Sequence, residues 1–458
     1  MLEATTTRGS LLRCLAFALP LAASAAAHAA KVERDELRTG VIFDMGRIEK
    51  GEFDNIPVEG QVISNTGVSM IQAVTIEDRL RLTIGVGGLF WYSLPEEPQP
   101  HRRYTKFGPA VLQAELSLKL GSLEDPWGNF QFGLIPFKYN PDAKNLGEYL
   151  LRSSAYPNVL ITGGWSNINS ASLQMQGLNF EVRTGPFTHN FLIMLETGLG
   201  PQHDITPAYL INFKPHPVFQ VGAGAAFASL IPIDNEITTP DGPGHPGDLT
   251  TQPLGRYKAD TVVTDPNDSV YSNYTYQAIK LMGRASIHPQ ALLQSDLLGP
   301  EDLTLYTEAA VLGWKNYPYY YEKRSHRIPV MVGFNVPTFK LLDMLSVEVE
   351  YRNTDFLNSS RVSYGESALP VPYIIPNGNE NYADVLKRYE VQRDSLTKDI
   401  KFHWSVYAKR SLVPGMTLFA QVASDHTRGI EFHGFPISEP TTTSWKQWYF
   451  LCRLELGI

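Results

Sequence analysis

Apolar side chains recur at every second position through most of this chain. From Trp448 to Ile458 the apolar set is Trp448, Phe450, Cys452, Leu454, Leu456 and Ile458. Between them lie Tyr449, Leu451, Arg453, Glu455 and Gly457. A two-residue period predicts a strand whose two faces meet different surroundings. The pattern returns upstream. Leu80, Leu82, Ile84, Val86, Gly88, Phe90 and Tyr92 form one face, against Arg79, Arg81, Thr83, Gly85 and Gly87. Ala110, Leu112, Ala114, Leu116, Leu118 and Leu120 alternate with Gln113, Glu115, Ser117 and Lys119. Further apolar faces start at Phe219, Ile279, Leu303, Ile328, Leu345 and Ile400.

The connectors between these segments alternate in length. Short ones lie near Glu77-Asp78, Ser122–Gly128, Gly185-Pro186, Lys214–Pro217, Thr338–Met344 and Val413–Gly415. Long ones lie near Pro95–Phe107, Phe137–Asn169, Pro232–Ser269, Asn316–Arg327, Asn353–Lys398 and Arg428–Thr443. Short turns on one side and long loops on the other predict an all-β fold, a transmembrane antiparallel β-barrel. The expected strand number is about 16, within about 14 to 18, since the segments Asn55–Ser64 and Asn158–Trp165 read ambiguously. The last strand then ends on the short-turn side.

One long connector carries a helix signature. Asn140-Pro141-Asp142 offers an N-cap, a proline at the first helical position and an acid in the first turn. Leu146, Tyr149 and Leu150 then share a face, and Arg152 falls in the last turn. A helix over Asn140–Arg152 could fold into the lumen and narrow it, or cap the barrel mouth from outside. Lys138, Asp142, Lys144, Glu148 and Arg152 are its charged constriction candidates. Gln290–Leu298 is a second helical candidate on the short-turn side.

The N-terminus reads as an export signal. Arg8 and Arg13 precede an apolar run from Leu15 to Ala27, and Ala27-His28-Ala29 fits a small-x-small cleavage site. Residues 1–29 are therefore expected to be removed, leaving residues 30–458 as a single barrel domain. The remaining chain holds 37 basic and 46 acidic residues, a formal charge of −9. This balance argues against nucleic acid as a partner. Only Cys452 survives cleavage, so neither an internal disulfide nor a thiolate metal cluster can form.

Catalytic and cofactor motifs are weak throughout. Gly85-Val86-Gly87-Gly88 lacks the Lys and Ser/Thr of a phosphate loop and sits within a strand pattern. The histidines have no metal-ligand spacing. His403 and Ser405 share one strand face, the minimum for a barrel-embedded lipid hydrolase. No metal and no cofactor are expected.

The charged members of the inward faces are more informative. Arg79, Arg81, Lys119, Lys280, Arg284, Arg352, Lys401, Lys409 and Arg453 are basic; Glu115, Glu348, Glu350 and Glu455 are acidic. Facing lipid at mid-depth would cost about 2–4 kcal/mol per Arg or Lys, so these side chains face water or one another. They are candidate pore-lining residues, and their basic excess suggests neutral polar or anionic solutes.

With the Trp448–Ile458 strand, the hairpin rhythm and the Asn140–Arg152 segment, the chain resembles Gram-negative outer-membrane porin-type barrels over roughly Gly60 to Ile458. The resemblance is architectural and transfers no individual site. It departs from the usual pattern in ending on Ile458 rather than an aromatic residue. It implies an outer-membrane location, lipid around the wall, a passive channel for small hydrophilic solutes, and a homo-oligomer such as a trimer. A plugged barrel with a structural or adhesive role is the alternative reading, with the barrel hydrolase behind it.

Overall fold

The computed structural model describes residues 31–457 apart from 54–55, 58, 61, 93–104, 152–172, 196–204, 229, 232–277, 294, 316–322, 354–400, 425–430, 433–434 and 437–443. Residues 1–29, the expected export signal, together with the segment Asn158–Trp165 and most of the long loops, lie outside the described residues.

Sixteen antiparallel strands form the wall. They are β1 (Arg38–Lys50), β2 (Val62–Ile76), β3 (Leu80–Tyr92) and β4 (Thr105–Gly121). Next come β5 (Pro126–Phe137), β6 (Leu173–Thr184), β7 (Phe187–Leu195) and β8 (Ile205–His216). Then follow β9 (Phe219–Ala228), β10 (Ala278–Ile287), β11 (Leu305–Val311) and β12 (Pro329–Asn335). The last four are β13 (Met344–Arg352), β14 (Phe402–Val413), β15 (Met416–Ala423) and β16 (Trp448–Gly457). Each pairs with its neighbour in sequence. β16 returns to β1 in a register running from Gly40↔Gly457 to Lys50↔Trp448, so the sheet closes. Closure leaves no unpaired edge, the condition for a sheet to span a membrane. A short strand, Val32–Arg34, continues the line of β1 along the end of β2.

The burial pattern is inverted relative to a water-soluble protein. On β13, Ser346, Glu348, Glu350 and Arg352 are buried, while Val347, Val349 and Tyr351 are exposed. β10 does the same, burying Lys280 and Arg284 and exposing Ile287. Met45 on β1 and Ile84 on β3 are 69% and 63% exposed. A side chain of this size forfeits about 1.5–3 kcal/mol if left in water. A ring of them around the wall is stable only against lipid, and the inward faces hold the polar set.

The short side is built from tight connections. Between β2 and β3, Glu77 and Asp78 both adopt positive φ (54° and 56°), and the Arg79 amide donates to the Ile76 carbonyl at 3.1 Å. This is the primed turn geometry that matches strand twist. It places Arg79 in a turn rather than on a strand face. The β10–β11 connector is longer and holds the single α-helical turn among the described residues, Gln290–Leu293.

Two further sequence expectations need correction. Leu112 does not share the outward face of β4. A bulge inserts it between the pairs Gly85↔Gln113 and Val86↔Val111. Leu112 turns inward at 4% exposure, and the outward phase passes to Val111 at 54%. The Asn140–Arg152 helix is also absent: the described part of that segment, through Leu151, is a run of turns and bends. Gly147 and Glu148 both have positive φ (85° and 61°), which no α-helix contains.

Cys452 tests the face assignment. It lies on β16 in the apolar set between Phe450 and Leu454 and is exposed. In lipid vesicles it should react with an apolar maleimide and resist a charged one, while both should label the denatured chain. Equal labelling by the two reagents in vesicles would contradict the orientation.

Candidate functional site

At the end of β5 the chain turns into the barrel. Tyr139, Asn140, Ala143, Leu146, Glu148, Tyr149 and Leu150 are each at most 4% exposed. The segment 138–151 crosses to the wall formed by β11 and β13, and two carboxylates there receive it. Glu308 of β11 accepts the amides of Glu148 (3.0 Å) and Tyr149 (2.8 Å), the side-chain amide of Asn140 (2.7 Å) and the Tyr139 hydroxyl. Glu348 of β13 accepts the amides of Lys144 (2.5 Å), Asn145 (2.9 Å) and Leu146 (2.8 Å), and the Tyr306 hydroxyl (2.7 Å). Glu350 accepts the Tyr149 hydroxyl at 2.7 Å.

Each of the first two carboxylates thus takes four donors, about the full capacity of its two oxygens. Hydrogen bonds to an ionised group contribute about 1.5–3 kcal/mol each, so the latch outweighs an ordinary loop contact. It also explains why no helix forms. The backbone donors that a helix would turn on itself are committed to the wall. Gly147 makes this geometry accessible: a Cβ there would stand 2.6 Å from the Met331 side chain and 3.2 Å from a Glu308 oxygen. Opposite Tyr306, Gly333 leaves the slot in which that ring lies, since a Cβ would meet it at 2.2 Å.

Apolar packing completes the seat. Tyr139, Ala143, Leu146, Tyr149, Leu150 and Leu151 form one cluster with inward residues of β5 to β12, among them Ile135, Met175, Leu192, Leu210, Met282 and Met331. Within the segment, Glu148 accepts the Asn140 amide (2.7 Å), Tyr139 accepts the Leu150 amide (3.0 Å), and Lys138 donates to the Ala143 carbonyl.

The expected constriction residues are therefore brought into the lumen, but in different roles. Lys138 and Glu148 tie the segment to itself. Lys144 docks through its backbone, with its Nζ 3.4 Å from the Pro141 carbonyl. Asp142 is buried 3.8 Å from His288 Nε2. Arg152 lies outside the described residues.

The wall candidates separate into groups. Glu348, Glu350 and Arg284 lie beside the segment, and Arg284 donates to Asn212 at 2.7 Å. Lys280 and Arg352 are buried on inward faces. Arg453 is buried against Asp44, its Nε and Nη2 donating to the two carboxylate oxygens at 2.6 and 2.7 Å. Lys409 lies 5.7 Å over the Phe419 ring, and Lys401 bonds Asn353 at the long-loop rim (2.9 Å). Glu455 is half-buried on the inward face of β16. Arg81 pairs with Asp35, Glu115 accepts two glutamine side chains, and Lys119 is exposed near the end of β4. Arg79 sits in its turn.

Sequence reasoning missed Glu308, Tyr306 and Asp44. Glu308 and Tyr306 do occupy the set alternating with Leu305, Thr307 and Ala309, which marks them as inward. The Ser405–His403 pair is not assembled. Ser405 is fully buried, its hydroxyl without a hydrogen-bond partner among the described residues, and His403 Nδ1 faces the Ser424 carbonyl at 3.0 Å.

Comparison with solved structures returns bacterial porins. One mutant of the Rhodopseudomonas blastica porin covers 93% of this chain and 100% of its own, with 7% identity and a TM-score of 0.43. A triple mutant of the same porin gives the same coverage with 6% identity and a TM-score of 0.40. No protein-family model and no curated protein matches the sequence. The closed sixteen-strand wall in this structure defines a porin-type β-barrel by its own geometry.

Proposed function

We propose that this chain is an exported outer-membrane channel that passes small hydrophilic solutes by diffusion along one side of its lumen. The observation that carries the reading is an asymmetry. The segment 138–151 packs on inward residues from the end of β5 round to β13, whereas β3, β4 and the rest of β5 keep half-buried polar side chains, Arg81, Gln113, Glu115, Ser117, Asn129 and Gln131. A polar face left partly open to water is what a diffusion path needs, and the latched segment sets its width. The reading takes residues 1–29 as the export signal, lipid as the outer partner and a trimer as the assembly. It involves no catalysis.

Conductance of purified, folded protein in planar bilayers tests the proposal: discrete steps are expected. A second reading, a plugged barrel with a structural role, draws on one observation. Ile48, Tyr407, Phe419, Ala423, Tyr449 and Leu451 form a further buried cluster on the inward faces of β14 to β16 and β1. Folded protein that migrates anomalously until boiled yet never conducts would overturn the channel reading in favour of the plug.

A further inference from the structure

Across β4 to β6 the inward face carries a ladder of amides. Gln113 Nε2 donates to one oxygen of Glu115 at 2.7 Å, and Gln131 Nε2 donates to the other at 2.8 Å. Asn179 Nδ2 donates to Gln131 Oε1 at 2.8 Å. Beside them, Ser117 donates to Asn129 at 2.9 Å. Asn179 is buried and anchors the row, whereas Gln113, Glu115 and Gln131 are half-buried.

We propose that this ladder is a binding track for neutral, polyhydroxylated solutes such as sugars; the inference rests on the channel reading and names its solute. Each half-buried amide spends only part of its capacity in the ladder, since a glutamine offers two donors and two acceptor positions. The unused groups include both donors and acceptors, and each sugar hydroxyl can serve as both. The sector also lacks a field that would favour charged solutes. Around the ladder, cations (Arg81, Lys119, Arg183) and anions (Asp35, Glu115, Glu181) are interspersed. Arg81 pairs with Asp35, and Arg183 pairs with Glu181 at 2.8 Å. Of the neutral polar and anionic solutes suggested by the whole lumen, this face suits the neutral ones. The carboxylates Glu308 and Glu348 are spent on the segment 138–151, and the basic residues of β10 to β16 face other parts of the lumen.

Proteoliposome swelling with glucose, glucuronate and glucosamine compares one ring in neutral, anionic and cationic form. Glucose should enter at least as fast as either charged form. Exchanging both glutamines for methionine (Gln113→Met, Gln131→Met) should slow glucose about fivefold, the worth of one hydrogen bond, and by a larger factor than it lowers potassium chloride conductance. Gln131→Glu keeps the shape and adds charge, so it should shift preference toward glucosamine even if the methionine variant fails to fold. Faster entry of glucuronate than glucose overturns the proposal, as does glucose flux indifferent to both changes. Those results leave the channel reading intact. Absence of any potassium chloride conductance removes both.

Discussion

Exchanging Glu308 and Glu348 for alanine should open the barrel. The two carboxylates receive five backbone amides of the segment 138–151, together with the Tyr139 and Tyr306 hydroxyls and the Asn140 side chain. Removing the carboxylates leaves those donors buried without acceptors, at about 1–3 kcal/mol each. Even at the low end, five amides amount to about 5 kcal/mol, enough to shift a docked-to-released equilibrium by more than about a thousandfold. The strand ladder carries none of these bonds, so the barrel should still fold and still migrate anomalously until boiled. Single-channel conductance of the double variant should rise severalfold with added noise, and amides 144–149 should lose protection from hydrogen exchange. The single variant Glu348→Gln keeps an oxygen acceptor but loses charge, and should fall between. Unchanged conductance and protection in the double variant would show that apolar packing alone holds the segment. If the wild-type barrel is closed, the same variant should be the first to conduct.

The wall was legible in the sequence because its rule is local. Every second residue of β3, β10, β13 and β16 faces lipid, and lipid demands an apolar side chain there. β1 escaped that rule. Ile42 and Ile48 face inward and are buried while Arg47 lies on the outward face, so the stretch from Val41 to Ile48 carries apolar residues on both faces and shows no clean alternation. Asp44 went unnoticed with it, although Arg453, its partner on β16, stood out in a regular strand. The inward segment was legible only in part. Leu146, Tyr149 and Leu150 share one apolar face in the sequence pattern, and in the structure all three are buried. Their helical backbone was inferred from Asn140-Pro141-Asp142, a local signature. What decides the backbone is distant: Glu308 and Glu348 lie 159 or more positions away along the chain from the amides they accept. Asn140 does use its side chain as a polar anchor, but on Glu308 rather than on a helix end. No periodicity records a backbone donor taken by another strand's side chain.

The seam between first and last strands is where a single substitution should cost most stability. Asp44 and Arg453 stand directly opposite each other in the β1–β16 register, and both are at most 5% exposed. Their two parallel hydrogen bonds, at 2.6 and 2.7 Å, join residues 409 positions apart. A bidentate pair of this kind fixes register as well as energy. Register matters at this seam because a slip of one residue would turn the lipid face of β16 inward. Arg453→Ala leaves the Asp44 carboxylate buried and unpaired, and Asp44→Ala takes from the guanidinium its two carboxylate acceptors. Each should destabilise the barrel by about 3–5 kcal/mol, read as a lower urea midpoint in detergent and a lower temperature for loss of the anomalous gel migration. The neighbouring inward positions Ile42, Ile48 and Leu451 are apolar, so the site can accept an uncharged pair. Replacing both partners, Asp44→Leu with Arg453→Met, should recover most of the loss, because desolvation of the two charges disappears with their attraction. If the double variant is as unstable as either single one, the pair contributes through register rather than through charge compensation. If none of the three shifts the midpoint, β1 and β16 are held by their backbone ladder alone.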